Sequence, residues 1–273
     1  MAKIIGRQHE QEDLMRLYNS DRAEFTVVYG RRRVGKTFLV KQVFKDSFAF
    51  FHTGLSPLDE ENNMTLAKQL EHFYRSLVVY GMEEGDKPKD WFEAFNMLKV
   101  LLSGKKSKRK QVVFIDELPW MDTPGSELLS AVESFWNGWG DARDNLLFIV
   151  CGSATSWMEQ KLVRNYGGLY GRFTYELHLK PFSLGEVEQY LKYREIQLSR
   201  MDVAIAYMVF GGMPYYLNFF EKGLSLAQNI DHIMFGRNAR LAKEMDILFK
   251  SQFRNPELYE RVVMCLSQRR YGY

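Results

Sequence analysis

The chain has 273 residues, nearly half of them apolar and 15% aromatic, enough for one large or two smaller domains with a real core. A net charge of +3 does not by itself call for nucleic acid, and the two cysteines, Cys151 and Cys265, offer neither metal spacing nor a disulfide framework, so both are expected as small core residues. No apolar run approaches the roughly 20 residues of a membrane span, and the first six residues lack a signal-peptide core, so a cytoplasmic protein without membrane contact is expected.

An amphipathic stretch over 8–18 follows Ile5-Gly6-Arg7. Phe25-Thr26-Val27-Val28-Tyr29 then reads as a short buried strand, and 38–44 carries apolar residues at helical spacing. Between them lies Gly30-Arg31-Arg32-Arg33-Val34-Gly35-Lys36-Thr37, the GxxxxGK[ST] pattern of a loop that wraps the phosphates of a nucleoside triphosphate. Gly30 and Gly35 let the main chain turn tightly, so that successive N–H groups and the positive helix end face an anion. The backbone of Arg33, Val34 and Gly35 and the first helical turn through Phe38 are therefore expected against phosphate. Lys36 adds a point charge on the terminal phosphates, and the Thr37 hydroxyl is a Mg²⁺ ligand.

Phe48-Ala49-Phe50-Phe51-His52-Thr53 looks like a second strand, with His52 as a core histidine. Helical patterns follow over 60–79 and 91–102, then a basic run, Lys105-Lys106-Ser107-Lys108-Arg109-Lys110, whose readings are a solvated loop or contact with a DNA backbone. Val112-Val113-Phe114-Ile115 fits a central parallel strand, with Asp116 and Glu117 at its C-terminal end, where open α/β sheets place their ligands. Asp116 would hold Mg²⁺, and Glu117 would polarise an attacking water. A plain helix cap is the alternative for this acidic pair. Trp120 reads as packing. Residues after Asp116 run Glu-Leu-Pro, so the DxxG of GTPases is missing, and no NKxD for reading guanine occurs. Adenine is the better fit, and the strand between the two motifs argues for the class with an added strand and a catalytic Glu.

A helix over 127–136, a buried strand over 145–151 ending in Gly152-Ser153, and an alternating strand over 173–179 complete five strands interleaved with helices. The expected fold class is α/β, a P-loop domain with a five-stranded parallel sheet covered on both faces, followed by a helical lid. From Ser183, whose Ser-Leu-Gly-Glu fits a capping box, the pattern is helical over 184–193, 201–210, 215–220, 226–235 and 238–249. A last helix over 257–270 has an apolar face that nothing left in the chain completes. The expected division is 1–24, a linker and helix; 25–182, the P-loop domain; 183–250, a helical domain; and 251–273, a C-terminal helix, the adenine-side role of the first, the lid role of the third and the start of a truncated winged-helix domain in the last being what the family resemblance below implies.

Ile5-Gly6-Arg7 with Glu10, the GRRRVGKT loop, FIDELPW, IVCGSATSWM, LYGRFTYELHLKPF and GGMPYYL together resemble the archaeal-type ATPase family, relatives of AAA+ and STAND nucleotide switches, over nearly the whole chain. The resemblance implies that Ile5, Gly6 and Arg7 border an adenine, and that Pro214 of Gly212-Met213-Pro214 presses toward it from the lid. It implies that Ser153 senses the γ-phosphate, and that Arg172 stabilises transition-state charge in its own or a neighbouring subunit or else pairs with a surface acid. Gly6-Arg7 as a plain cap and Gly211-Gly212 with Pro214 as a helix break are the bland alternatives. Family members often carry a winged-helix and sometimes a nuclease-like module beyond this point.

The leading expectation is a Mg²⁺-dependent ATPase switch, slow or partner-stimulated, that binds ATP and ADP and works through a protein partner or self-association. Its rivals are a DNA-associated ATPase using the basic run and a C-terminal module, and a small-molecule kinase, which would leave Glu117 without a water to activate.

Overall fold

The computed structural model describes residues 3–56, 65–105, 107, 109–164, 168–169, 171–252 and 255–268. The chain divides into two compact units, Met1–Lys180 and Pro181–Tyr273. In the first, chain order runs α1 (Gln8–Tyr18), β1 (Glu24–Tyr29), α2 (Lys36–Phe44), β2 (Phe48–Thr53), α3 (Leu66–Val79), α4 (Trp91–Gly104), β3 (Gln111–Asp116), α5 (Leu118–Met121), α6 (Leu128–Phe135), β4 (Leu146–Gly152), α7 (Thr155–Trp157) and β5 (Tyr175–His178). The sheet order is β2-β3-β4-β1-β5, with every pairing parallel. The strand lying in space between β1 and β3 is thus β4, while β2, expected from its place in the chain as the added strand, forms an edge.

The three central strands are buried at every position, which is why they read as unbroken apolar runs rather than alternating ones. On one face Phe25, Val27, Val113, Ile115, Phe148 and Val150 pack under Phe73, Trp91, Phe95, Leu98, Phe135 and Trp136 of α3, α4, α6 and the turn after it. The alternate positions Val28, Val112, Phe114, Ile149 and Cys151 are buried on the other face, where Phe44 of α2 meets Phe48 and the Phe48 ring stacks on Phe114. Both sides being covered, all five strand C-termini are left to carry function.

Two segments depart from the sequence expectation. The strand expected over 173–179 is regular only from Tyr175, because the Thr174 hydroxyl accepts from the Phe25 N–H at 3.0 Å, where a strand would offer a carbonyl. The helix expected over 60–79 is described from Leu66, capped by the Thr65 hydroxyl, and 57–64 lie outside the described residues.

Two cations of the basic run, Lys105 and Lys110, are turned inward. Lys110 is buried, and its ammonium donates to Leu17 O at 3.0 Å, Arg22 O at 2.7 Å and the Ser20 hydroxyl, which ties the α1–β1 loop to the start of β3. Lys105 donates to Ala49 O at 3.0 Å, and burial lowers the pKa of both amines. Arg109 is exposed, and Lys106 and Lys108 lie outside the described residues. Three oxygens would lose a charged donor in Lys110→Met, so stability should fall by about 1–3 kcal/mol. A urea midpoint equal to the parent's would refute this structural role.

In the second unit, α8 (Leu184–Tyr193), α9 (Arg200–Phe210), α10 (Pro214–Leu217), α11 (Leu226–Ile230), α12 (Glu244–Gln252) and α13 (Pro256–Gln268) follow. The capping box read from Ser183 and Glu186 is present with both reciprocal bonds. Phe182, Val187, Leu191, Val203, Phe210, Leu217, Phe220 and Ile233 form the core. Gly211 ends α9 at φ 64°, and Gly212, at φ 67°, lies so close to Phe182 O that a Cβ there would meet it at 2.3 Å. Pro214 then opens α10 at its first position. α10 stops at Leu217 rather than 220, and α12 begins at Glu244 rather than 238. Cys265 is exposed on α13, against the core position expected for it; Cys151 is buried as expected. Leu258, Val262 and Leu266 of α13 are exposed too, and 269–270 of the expected helix lie outside the described residues. No described helix is long and apolar enough to cross a membrane.

Candidate functional site

β1 delivers the chain to the sheet's C-terminal edge at Tyr29, and Gly30 turns it at φ 146°. A side chain at Gly30 would strike Leu179 O, 2.3 Å from the position of its Cβ, so only glycine fits between the loop and the strand end beside it. Arg33 at φ 73° and Gly35 at φ 94° wind the backbone into a concave loop that opens onto the N-terminus of α2, whose first-turn N–H groups have no intrahelical partners. Val34 is buried beneath the loop, and Phe38, one turn on, is exposed. Lys36 is only 5% exposed, and its ammonium donates to Gly30 O at 2.9 Å and Arg31 O at 3.1 Å. A cation is thereby held at the loop's mouth.

β3 brings Asp116 to the same place. The Thr37 hydroxyl donates to Asp116 Oδ2 at 2.8 Å, joining two motifs 79 residues apart. The other oxygen, Oδ1, is buried without a hydrogen-bond partner among the described residues, a costly state for a carboxylate. No group of three or more His, Cys, Asp or Glu that could hold a metal ion occurs among the described residues, and the donors that meet here are the Asp116 carboxylate and the Thr37 hydroxyl. That donor set suits Mg²⁺, which keeps several waters and takes one or two carboxylates together with substrate phosphates. Cys151 does not compete as a ligand, because burial and then the Asp116 charge hold its thiol well above the usual cysteine range.

Glu117 begins a different geometry. It leaves β3 with φ 51° and ψ 48°, a left-handed conformation that costs an ordinary residue about 1–2 kcal/mol and persists only where the surroundings impose it. The turn throws its carboxylate toward β4, where Glu117 Oε2 accepts from both the backbone N–H and the hydroxyl of Ser153, each at 2.9 Å. Gly152 lets this happen: a Cβ there would lie 2.8 Å from Pro119 and 2.6 Å from the Met158 sulfur. Burial pushes the Glu117 carboxyl above the ordinary glutamate range; the Ser153 donors and the Lys36 ammonium pull it back, while the Asp116 charge adds to the rise.

Lys36, Thr37, Asp116, Glu117 and Ser153 are therefore brought together as the sequence predicts, with Ser153 on the carboxylate of Glu117. Arg7 caps α1 in the left-handed region at φ 59°, next to Gly6 at φ 67°, and its buried guanidinium meets Glu10 at 3.3 Å and donates to Lys180 O at 2.6 Å. Leu179 and Lys180 are thus gripped by Gly30 on one side and by Arg7 on the other. Ile5, two residues before Arg7, is half-buried. Arg172 is exposed in the turn before β5, its backbone N–H bonded to Leu169 O at 3.1 Å, and Pro214 belongs to the second unit. His52 is a core histidine, with Nδ1 2.9 Å from the Ser76 hydroxyl and a pKa lowered to about 3 by burial and then by His72. Sequence reasoning passed over Gln69, fully buried on α3. The available signal was a lone amide on the stripe of Leu66, Leu70, Phe73 and Leu77.

The chain is 25% identical to an uncharacterized protein of Methanocaldococcus jannaschii over 264 residues, 97% of this chain and 54% of that one, so it spans about half the relative's length. A Walker-type ATPase of Pyrococcus abyssi shares its fold at TM-score 0.57 and 18% identity, over 97% of this chain and 75% of that one. A signal transduction ATPase with numerous domains (STAND) and a tetratricopeptide repeat sensor, from Pyrococcus horikoshii, does so at TM-score 0.51 and 15% identity, over 90% and 35%. These likenesses agree with a P-loop α/β fold. The family model for an ATPase domain predominantly from Archaea matches residues 5–220, a match that covers the phosphate loop, the acidic strand and the helices through α10, and the chain belongs to that family.

Proposed function

We propose that the chain binds ATP with Mg²⁺, hydrolyses it, and works as a nucleotide-dependent switch. The observation that carries this reading is the 2.8 Å bond between Thr37 and Asp116, with Glu117 fixed one residue further on by Ser153. Thr37 and Asp116 would hold Mg²⁺, which when bound supplies charge neutralisation on the terminal phosphates. The N–H groups of the loop from Arg33 to Phe38 bind and orient those phosphates, and Lys36 stabilises their charge in the ground state and more so as it develops in the transition state. Glu117 accepts the proton of the attacking water, and Ser153 fixes which of its oxygens stays available.

Adenine recognition by Ile5, Gly6, Arg7 and Pro214, and charge stabilisation by Arg172 from this subunit or a neighbour, are proposed on the family resemblance. So is the role of the helical unit as the responding element, read by a protein partner or a second copy. Lys105 and Lys110 direct their ammonium groups to backbone carbonyls, so DNA contact by the basic run, the alternative reading, would draw on its exposed Arg109.

Phosphate release measured with ATP, with ATP plus chelator and with GTP as competitor tests the chemistry, and hydrogen exchange over 183–249 with and without ATP tests the switch. Release should need Mg²⁺, GTP should compete poorly, and exchange should slow on ATP addition. Release that ignores chelation sinks the cation assignment, and exchange that ignores ATP sinks the switch.

A further inference from the structure

β3 ends at Asp116, level with Thr53 of the neighbouring β2, and the chain after β2 continues through Gly54 and Leu55. The last rung between them is the Gly54 N–H to Asp116 O, at 2.9 Å. Leu55 therefore has no residue of β3 to pair with. The side chain of Gln69 takes that place: its Oε1 accepts from the Leu55 N–H at 3.1 Å, and its Nε2 donates to Leu55 O at 3.0 Å. A second Nε2 bond, at 2.8 Å, goes to Trp120 O. That carbonyl belongs to α5, a helix that ends at Met121, so no donor four residues on exists within the helix to satisfy it. One fully buried amide thus ties the end of β2 to the short helix that Glu117 caps.

The same turn is crowded from the β2 side at Gly54. A Cβ there would come within 2.8 Å of Glu117 O, 2.9 Å of Met121 Cγ and 3.3 Å of Trp120 Cβ. The left-handed Glu117 turn therefore sits between two supports. Gly152 and Ser153 hold it on the β4 side; Gly54 and Gln69 hold it on the β2 side. Ser153 grips the carboxylate itself, whereas Gln69 grips the backbone three residues on, where the Trp120 N–H returns to Glu117 O at 2.9 Å.

We propose that Gln69 is a positioning residue for Glu117, holding the turn that aims its carboxylate; this rests on the hydrolytic reading of Glu117 above. Gln69 lies outside the phosphate loop and the Thr37–Asp116 pair, so it governs the chemical step rather than nucleotide affinity. Gln69→Met keeps the length of the side chain and removes all three bonds. Gly54→Ala pushes on the same turn while leaving the Gln69 amide in place.

The test compares both variants with the parent, alone and in a Glu117→Gln background, by steady-state and single-turnover phosphate release, equilibrium ATP titration and thermal unfolding. The expected result is a kcat about tenfold or more below the parent's with KM and ATP affinity within about twofold, and a loss that shrinks to under about twofold once Glu117 is Gln. A folded Gln69→Met with unchanged kcat, a KM that rises in step with the loss, or an equal loss in the Glu117→Gln background overturns the proposal. Should Gln69→Met fail to fold, Gly54→Ala decides by the same criteria. Should the parent release no phosphate, or Glu117→Gln release it at the parent rate, the hydrolytic reading fails instead. Amide exchange across 117–121 then decides for Gln69, faster exchange in Gln69→Met supporting its hold on the turn and equal exchange overturning it.

Discussion

Replacing Lys36 with alanine should abolish measurable ATP binding and turnover while leaving the fold intact. The ammonium is held by Gly30 O and Arg31 O, so its charge is already fixed against the backbone of the loop. Among Lys36, Thr37, Asp116, Glu117 and Ser153, Lys36 alone carries positive charge: Thr37 and Ser153 are neutral, and Asp116 and Glu117 are acids. Without Lys36, a bound polyphosphate would face two carboxyl groups at the sheet edge with the loop's buried ammonium no longer opposing them. The fold rests on strands packed elsewhere: the cluster in which Phe25, Val27, Val113, Ile115, Phe148 and Val150 meet α3, α4 and α6 does not include Lys36. Isothermal titration with ATP, phosphate release and a melting curve check this together. An unchanged rate in a folded variant would sink the assignment of the site.

Legibility in the sequence followed the range of the interactions involved. α1, α8 and the three central strands were readable because apolar period and caps are local properties, visible in Ser183 with Glu186 or in Val112-Val113-Phe114-Ile115. The pairing of Thr37 with Asp116 was readable across 79 residues only because each lies in a motif that implies the other. Where a residue's role depends on a distant partner and no motif announces it, sequence reasoning failed. Lys110 reads as a surface charge, yet its oxygens come from Leu17 and Arg22, 93 and 88 residues away. Gln69 finds its carbonyls at Leu55, just past β2, and at Trp120 of α5. The ordered start of β5 at Tyr175 was hidden in the same way, since the Thr174 hydroxyl displaces a ladder bond to Phe25. The expected core place of Cys265 failed for another reason: an apolar stripe on a helix shows that a face needs covering and not that it is covered.

Glu117→Gln should separate chemistry from binding. Glutamine keeps the shape of the side chain, and its amide oxygen can accept both Ser153 donors in place of Glu117 Oε2, so the left-handed turn and its clamp survive. Thr37 and Asp116, which would hold the cation, are untouched. What is lost is the basic oxygen that takes a proton from water, so turnover should fall by ~10²-fold or more, equivalent to at least about 2.7 kcal/mol of barrier. Charge bookkeeping points the opposite way for affinity. Removing a carboxylate beside Asp116 relieves a repulsion that raises the Glu117 pKa, and it takes one negative charge away from an anionic ligand, so ATP should bind as tightly as in the parent or more tightly. Single-turnover phosphate release set against equilibrium ATP titration reads both quantities in one preparation. Affinity that collapses along with turnover would move Glu117 from proton transfer to holding the site together, and the base would then have to be sought elsewhere at the ends of β3 and β4.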